Sequence, residues 1–271
     1  MEKNKKNNSQ KVIIGGIINN QELEEFYKSM EDNSKIFDTY IIAYLDFLGF
    51  EEKMKEENSY NSLQILKFLL RGTKAVANSI SRTNNINEFD IKIFSDNILI
   101  AQKIDQEKLG NQITSLINLI GSIQFHALMY FGFLMRGGIT IGELSIDPIV
   151  VWGTGLIKAF DIEKNLAYYP RIIISDHVLK EYDSNKQKEI NLYAFIKKDF
   201  DGLWFINFLL AAPNIKLIPK EFEILQEFVE SYLKKPEKIK QKINWLVAYF
   251  NAYCYELKDR IEYEKYILSY V

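Results

Sequence analysis

The sequence of 271 residues contains very few of the side chains that build disulfide and soft-metal sites. Its single cysteine, Cys254, excludes an internal disulfide framework and a zinc site made from several thiolates. With only two histidines, the chain is poorly supplied for a histidine-rich metal site or a Ser-His-Asp triad. We interpret His126, inside an apolar helical pattern, as a core or edge residue, and His177 as a residue in the first turn of a helix.

Long apolar runs and a strong charge of one sign are also absent. No stretch approaches eighteen consecutive apolar residues, so we predict no transmembrane helix, and residues 12–18 are too short an apolar core for a secretory signal. The formal net charge of −2 gives no general attraction to nucleic acid or to an anionic membrane surface. We therefore expect a cytoplasmic protein whose partners include neither nucleic acid nor membrane.

What the chain does contain is two carboxylates, each placed at a break in an apolar run. Asp46 interrupts the run Ile41–Phe50, and Asp96 interrupts the run Ile91–Ile100. Such runs predict buried strands, and a carboxylate at the end of a buried strand is costly to ionise unless a positive charge meets it. One interpretation is that both are ordinary turn residues, since Asp is common in turns. The other is a divalent metal site, because magnesium typically binds one or two carboxylates plus substrate phosphates.

Hydrophobic periodicity divides the chain into alternating strands and helices. The order strand, helix, strand, strand, helix, strand, helix, strand predicts an α+β fold with a mostly antiparallel sheet. We predict a strand from about Tyr40 to Phe47, and a hairpin of residues 89–94 and 97–102 with Asp96 at its tip. A final strand pair is predicted at residues 191–196 and 203–208. Thr154 is the predicted N-cap of a helix reaching Leu166, and Gly137-Gly138 predict a bend or a close backbone approach in a strand.

Three regions follow from this pattern. Residues 1–37 read as a polar tail and a short amphipathic helix at about residues 20–31. Residues 38–210 form the predicted α+β domain. Residues 211–271 are a predicted helical extension, with helices at about 221–233 and 239–263 separated at Pro236.

Five motifs in order give the chain a resemblance to a known family. They are Tyr44–Phe50, Phe94–Ile98, Met135–Glu143, Trp152–Ala159 with Tyr169–Ile172, and Asp199–Ile206. Their order and spacing resemble the catalytic domain of class III nucleotide cyclases, and among these the bacterial proteins that include the pyrimidine cyclases of Pycsar anti-phage defence. The resemblance covers about residues 38–210 and implies a ferredoxin-like, palm-type domain.

The resemblance implies roles for particular residues. In that family the positions of Asp46 and Asp96 hold two divalent ions, Mg²⁺ or Mn²⁺, and the position of Arg136 binds phosphate. A pair of metal ions can activate the attacking 3′-hydroxyl and neutralise the leaving pyrophosphate. The further residues expected to bind substrate are Tyr44, the turn of Phe47, Leu48, Gly49 and Phe50, the base-reading position Lys92, and the triphosphate position at Lys197 or Lys198.

Two departures from the family pattern bear on substrate and activity. The partner acid of purine-selective members falls at Val150, or at Asp147 out of register, which argues against adenine recognition and is compatible with a pyrimidine. The transition-state Asn and Arg of adenylate-type enzymes fall at Ile157 and Asp161. The remaining basic candidates for that role are Arg136, Lys158 and Arg171. Tyr44, Thr140 and Glu143 are further candidates to line the pocket, although a core or edge position is favoured for each.

The resulting hypothesis is a metal-dependent nucleotidyl cyclase that converts a pyrimidine nucleoside triphosphate to a 3′,5′-cyclic monophosphate and pyrophosphate, with UTP the favoured substrate and CTP the alternative. The family implies a head-to-tail homodimer with sites at the subunit interface, and a product that activates a separate effector in anti-phage defence. The alternative is a degenerate cyclase-fold sensor or regulatory subunit that binds nucleotide without turnover. A third possibility is a relative of diguanylate cyclases or minimal polymerases, although Ile139 follows Gly137-Gly138 where those proteins usually carry an acid.

Overall fold

The structure is a computed structural model that describes residues 37–50, 59–185, 190–211 and 217–271. The chain divides into two compact units, Met1–Phe37 and Asp38–Val271. All elements below belong to the second unit. The predicted short helix at residues 20–31 lies outside the described residues.

The first four strands and two helices alternate as β-α-β-β-α-β. They are β1 (Asp38–Leu48), α1 (Ser59–Thr83), β2 (Asp90–Phe94), β3 (Asn97–Lys103), α2 (Leu109–Phe131) and β4 (Leu134–Ile146). The strands lie in the order β2-β3-β1-β4, and every neighbouring pair is antiparallel. This is the ferredoxin-like arrangement, so the predicted α+β fold with a mostly antiparallel sheet is confirmed.

The rest of the chain extends this sheet and covers it. The further elements are β5 (Val151–Trp152), α3 (Thr154–Leu166), β6 (Ile172–Ile174), α4 (Asp176–Ser184), β7 (Ile196–Lys198), β8 (Trp204–Ile206), α5 (Ile218–Glu230) and α6 (Glu237–Glu256). The eight-stranded sheet has the order β2-β3-β1-β4-β6-β8-β7, with β5 paired to β4. Only β6 pairs in parallel, against β4. The boundary predicted at residue 210 stays a prediction.

Alternate residues of β1 face two different cores. Ile41, Ala43, Leu45 and Phe47 join the large core that α1 and α2 cover. Ile42 belongs to a smaller core with Ala159 of α3. Tyr44 and Asp46 lie on that same α3-facing side of the sheet and are only partly buried. The strand alternation therefore places Asp46 on the less crowded face.

Helix α2 is the core helix of the large layer. Among the described residues it is the one helix long and apolar enough to cross a membrane, and 78% of its apolar window is buried inside the fold. Because its surface is already occupied by the sheet and neighbouring helices, its hydrophobicity is explained by packing.

Two local predictions were wrong. The strand expected at residues 191–196 is a 3₁₀ turn, Leu192–Ala194, followed by β7. The Asn191 side chain accepts a hydrogen bond from the Tyr193 N–H at 3.1 Å, which turns the chain before the strand begins. Thr154 is the first residue of α3 rather than its N-cap, a position that Gly153 takes without a side-chain hydrogen bond.

Candidate active site

The two predicted metal-binding acids lie on neighbouring segments. Asp46 faces Asn97 across the β1–β3 pairing, and Asp96 is in the turn just before β3. The Phe47 N–H donates to the backbone carbonyl of Asp96 at 3.2 Å. The structure thus brings together two carboxylates that are 50 positions apart in the sequence.

The turn that carries Asp96 is strained. Ser95 has a φ of 58°, in the left-handed region that favours glycine. Ser95 and Asp96 form a two-residue connection between the paired residues Phe94 and Asn97. Strain of this kind persists only where the surrounding structure enforces it, and it is common at functional sites. Here it holds Asp96 beside the end of β1.

Arg136 connects the predicted site to a residue that sequence reasoning missed. It faces Asp46 across the β1–β4 pairing, and its Nε donates to Asp46 Oδ2 at 2.9 Å. Its Nη2 lies 2.7 Å from Oε1 of Glu163 on α3, whose side chain is only 5% exposed. The spacing of Glu163 from Ala159, four residues earlier on the buried face of α3, was the signal available in the sequence.

Burial dominates the electrostatics of these acids. Burial raises the pKa of Asp46, which the Arg136 hydrogen bond and charge lower and the Asp96 charge raises further. Burial likewise raises the pKa of Glu163, against the opposing charge of Arg136. Burial also raises the pKa of Tyr44, with added effects from Glu163, Asp46 and Asp96. The charges and hydroxyl of Asp46, Arg136, Asp96, Glu163 and Tyr44 therefore interact with one another.

The donor set fits a cation that is also held by substrate. Asp46 and Asp96 offer two carboxylates at one turn, the number that magnesium typically takes from a protein when phosphates complete its coordination. Over the described ranges, no three or more His, Cys, Asp or Glu side chains are grouped to hold a metal ion. A cation at this turn would therefore take its remaining oxygen ligands from water, backbone carbonyls or the phosphates of a bound ligand.

Glycines let α3 approach the sheet closely enough to deliver Glu163. A Cβ at Gly138 of β4 would lie 2.6 Å from the Ala159 carbonyl oxygen and 2.6 Å from Ile162 Cβ. The predicted close backbone approach at Gly137-Gly138 is therefore confirmed, although β4 continues through it without a break. Gly153 has a φ of +155°, and a Cβ there would lie 2.3 Å from the Glu143 carbonyl oxygen.

The predicted phosphate turn lies at the end of β1. Phe47 packs its ring against Phe50 and Phe133, with centroids 6.1 Å and 5.4 Å away. Leu48 and Gly49 instead line an open cavity. Gly49 has a φ of +74°, which a residue with a side chain rarely adopts. The aromatic contacts thus anchor a turn whose glycine remains accessible.

Lys92 is next to Asp147, the acid that is out of register with the partner acid of purine-selective family members. Its Nζ donates to the backbone carbonyl of Asp147 at 2.8 Å. The Asp147 carboxylate accepts from the N–H groups of Ile149 and Val150 at 2.6 Å and 2.7 Å. Asp147 therefore organises its own turn, and its side chain is committed to backbone groups.

Lys197 and Lys198 lie far from Asp46 within one chain. They are on β7, and strands β4, β6 and β8 separate β7 from β1. Lys197 Nζ pairs with Glu256 Oε1 at 2.5 Å, and Lys198 Nζ lies 6.0 Å from the centroid of the Trp204 ring. For either lysine to meet a phosphate held at Asp46, it would have to come from a second subunit.

Arg171 is engaged elsewhere. Its side chain is 1% exposed and pairs with Asp199 and Asp201. Breaking such a buried pair leaves uncompensated charge and is strongly destabilising. Arg171 is therefore a structural residue, and the expectation that it could replace a transition-state arginine is wrong.

The remaining predicted residues differ in how deeply they are buried. Tyr44 contacts the Phe160 ring edge-on, with centroids 5.5 Å apart. Thr140 is buried and accepts a hydrogen bond from Ser175 at 3.3 Å, while Glu143 is exposed. The family's transition-state positions Ile157 and Asp161, together with Lys158, are exposed residues of α3.

Comparisons with solved structures return cyclase domains at low similarity. The guanylyl cyclase Cya2 is 12% identical over 63% of this chain and 92% of its own, with a TM-score of 0.41. The guanylyl cyclase domain of the RhoGC fusion protein from the aquatic fungus Blastocladiella emersonii is 10% identical over 62% and 96%, with a TM-score of 0.42. A class III adenylyl cyclase-like ATP-binding protein from Pseudomonas aeruginosa is 11% identical over 74% and 44%, with a TM-score of 0.41.

Sequence comparisons add nothing to this: no protein-family model matches the chain, and no curated protein matches it. Likeness at these identities and TM-scores does not separate an enzyme from a binding protein of similar fold. The chemistry must therefore be read from the chain's own residues.

Proposed function

We propose that this protein is a metal-dependent nucleotidyl cyclase, which converts a nucleoside triphosphate to a 3′,5′-cyclic monophosphate and pyrophosphate. The observation that carries the proposal is the meeting of Asp46 and Asp96 at the end of β1, with Arg136 bonded to Asp46. Two carboxylates beside a guanidinium suit a phosphate ester with its cations, because phosphoryl transfer needs positioning and charge stabilisation more than covalent chemistry.

Each residue has a distinct part in this mechanism. Asp46 and Asp96 hold the divalent ions, which when bound lower the pKa of the attacking 3′-hydroxyl and neutralise the leaving pyrophosphate. With Asp46 engaged by a cation, the Nε edge of Arg136 that now donates to Asp46 would be free to bind a phosphate oxygen. Glu163 keeps hold of the other edge and so fixes the plane of the fork.

For the substrate we propose a pyrimidine triphosphate, UTP in preference to CTP. The Lys92 ammonium is bound to a backbone carbonyl, and the Asp147 carboxylate is bound to backbone N–H groups. The lysine–acid pair that reads a purine in the family is therefore not assembled. Val150 at the family's acid position is apolar and exposed.

A homodimer is the proposed assembly, with each site completed by the partner. Large apolar side chains of β2 and α3 are exposed: Phe94 on the edge strand β2 is 50% exposed, and Ile157 on α3 is 56% exposed. Exposed apolar surface of this kind is typical of an interaction face. A second subunit on it would cover these side chains and supply contacts that one chain lacks.

The biological role we propose follows from the resemblance to Pycsar cyclases. A cyclic mononucleotide is a diffusible product, so it can act on a separate effector protein in the cytoplasm. In this proposal the effector executes anti-phage defence, and the cyclase supplies its signal.

The second candidate is a sensor that binds nucleotide without turnover. Ile157 and Asp161 at the transition-state positions favour it, since neither side chain can stabilise charge building up on a phosphate. The Asp46–Arg136 pair favours it too, because it resembles a satisfied structural ion pair.

The test is incubation of the purified protein with each of the four ribonucleoside triphosphates and Mg²⁺ or Mn²⁺, followed by mass spectrometry. We expect a cyclic monophosphate from UTP, and a loss of about 100-fold or more in Asp46→Asn and Asp96→Asn. Asp259→Asn, at an exposed position beyond α6, is the control and should retain activity. Binding without turnover in the wild type would favour the sensor, and a product of two linked nucleotides would favour the polymerase-like relative.

A further inference from the structure

A basic cavity lies between the turn after β1 and the C-terminal helices. Its volume is about 550 Å³, and Leu48 and Gly49 line it on one side. Lys235, Lys238 and Lys242, from α6 and the segment just before it, line the other side. Among the described residues that line it, none is acidic and the charged ones are lysines. The cavity is large enough for a nucleotide-sized ligand.

Lys238 and Lys242 form a repulsive pair on one face of α6. They are four residues apart, a spacing at which like charges on a helix repel each other. Over the described part of the chain, neither lysine has a carboxylate within ion-pair distance. An unpaired cationic pair facing a cavity is relieved when an anion binds between the two charges.

Lys242 links this cavity to the candidate active site. Its ammonium lies 5.5 Å from the centroid of the Tyr168 ring, just beyond the end of α3. Burial lowers its pKa, as do the charges of Arg136 and Lys238, while Asp46 and Glu163 raise it. Lys242 therefore lines the cavity and is also within electrostatic reach of the residues that would hold the reacting phosphate.

Chain connectivity puts the same cavity in line with the metal-binding turn. Leu48 and Gly49 follow directly after Asp46 and Phe47. These two lining residues are therefore two and three positions along the chain from the carboxylate that would hold the phosphate-bound cation. The predicted triphosphate lysines, Lys197 and Lys198, are on the edge strand β7, which β4, β6 and β8 separate from β1 in the same chain. The C-terminal helices thus place lysine side chains near the turn after β1, where neither Lys197 nor Lys198 of the same chain lies.

We propose that the C-terminal helices complete the substrate site in cis, with Lys238 and Lys242 binding the β- and γ-phosphates of the triphosphate. The ligand class is a polyphosphate anion, and its assignment to the substrate rests on the proposed cyclase function. The proposal gives residues 211–271 a direct part in recognition in addition to packing.

The direct test is calorimetric titration with inorganic tripolyphosphate, first in EDTA so that no metal contributes. We expect the wild type to bind, and Lys238→Met and Lys242→Met to bind at least about 10-fold more weakly, because each removes one ammonium and keeps the apolar stem. Lys240→Met is the matched control on the same helix, since Lys240 does not line the cavity, and it should bind like the wild type. Lys242→Arg should restore binding.

The outcomes separate the cavity from the catalytic proposal. Equal tripolyphosphate binding by wild type, Lys242→Met and Lys240→Met, or no binding by any, overturns the site. Binding that is lost in the cavity variants, with no turnover of any nucleotide, supports the site and counts against the cyclase. In an active enzyme, competitive inhibition by tripolyphosphate and a raised KM in Lys242→Met assign the anion to the substrate, whereas noncompetitive inhibition overturns that assignment.

Discussion

Arg136 contacts two carboxylates whose surroundings differ, and this difference separates their roles. Asp46 is 15% exposed, so a cation or phosphate can compete for it. Glu163 of α3 is only 5% exposed and has no such access. Its carboxylate oxygen lies 2.7 Å from Nη2 of Arg136, so its charge stays beside the guanidinium while Asp46 exchanges partners.

A second buried acid has no partner and makes stability depend on pH. Glu221 on α5 is 4% exposed, and neither of its carboxylate oxygens has a hydrogen-bond partner among the described residues. Burial raises its pKa to about 7 from a normal value of 4.5. Its stabilising effect is therefore complete below about pH 4.5 and is lost as the pH rises through about 7.

Glu221→Gln should remove this pH dependence. At pH 5 the variant and the wild type should unfold with similar free energies, and at pH 8 the variant should be more stable by about 3 kcal/mol, since one pKa unit is about 1.36 kcal/mol. Urea unfolding at the two pH values measures the difference, with Glu223→Gln, exposed on the same helix, as the control. An equal pH dependence in both proteins would show that Glu221 is solvated or paired.

Among the secondary-structure elements, helix α3 determines the shape of the site. Its backbone lies directly on β4 and β1 because glycines face it, and this contact sets the distance from Glu163 to Arg136. A single added methyl group at the contact must move the helix or the strand, since neither the Ala159 carbonyl nor Ile162 Cβ is at the end of a flexible side chain.

Gly138→Ala is therefore expected to destabilise the fold by about 1–3 kcal/mol, the usual cost of overpacking. Gly72→Ala is the matched control, because Gly72 is in the middle of α1 and a Cβ there meets nothing within 4 Å. That change should stabilise the protein by about 0.5–1 kcal/mol. Urea unfolding distinguishes the two, and a Gly138→Ala variant as stable as the wild type would contradict the close packing of α3.

For the whole molecule, the C-terminal helices are part of the main core. Trp245 of α6 donates through Nε1 to Asp199 at 2.7 Å, and its ring lies 5.4 Å from that of Phe205 on β8. Leu225 and Phe250 are fully buried in the same cluster that covers β1. Removing these helices would expose the far half of the sheet to water.

A chain ending at residue 211 is accordingly expected to lose its cooperative unfolding transition. In the full chain, tryptophan fluorescence and far-ultraviolet circular dichroism should report one coincident transition in urea. The truncated chain should instead be degraded by dilute protease at a concentration that leaves the full chain intact. Cooperative unfolding of the truncated chain would show that residues 211–271 are an independent extension.

Local pattern was sufficient to predict β1, the β2–β3 hairpin and the position of Asp96 at its tip. These elements are specified by apolar runs and turn residues within about ten positions of each other, and such signals are short in range. The 3₁₀ turn at Leu192–Ala194 was missed because one capping hydrogen bond, which the Asn191 side chain accepts from the Tyr193 N–H, outweighed a strand-like composition.

The sequence by itself determined that two carboxylates would end buried strands, because alternation and turn chemistry are written into neighbouring residues. Only the tertiary structure decided which charged side chains lie near them. Arg171 forms ion pairs with Asp199 and Asp201 instead. Glu163 and Lys242, which lie on helices far along the chain, are close enough to interact with the site. The physical reason is that charge pairing and desolvation depend on distance in space, which packing of the sheet against α3 and α6 sets.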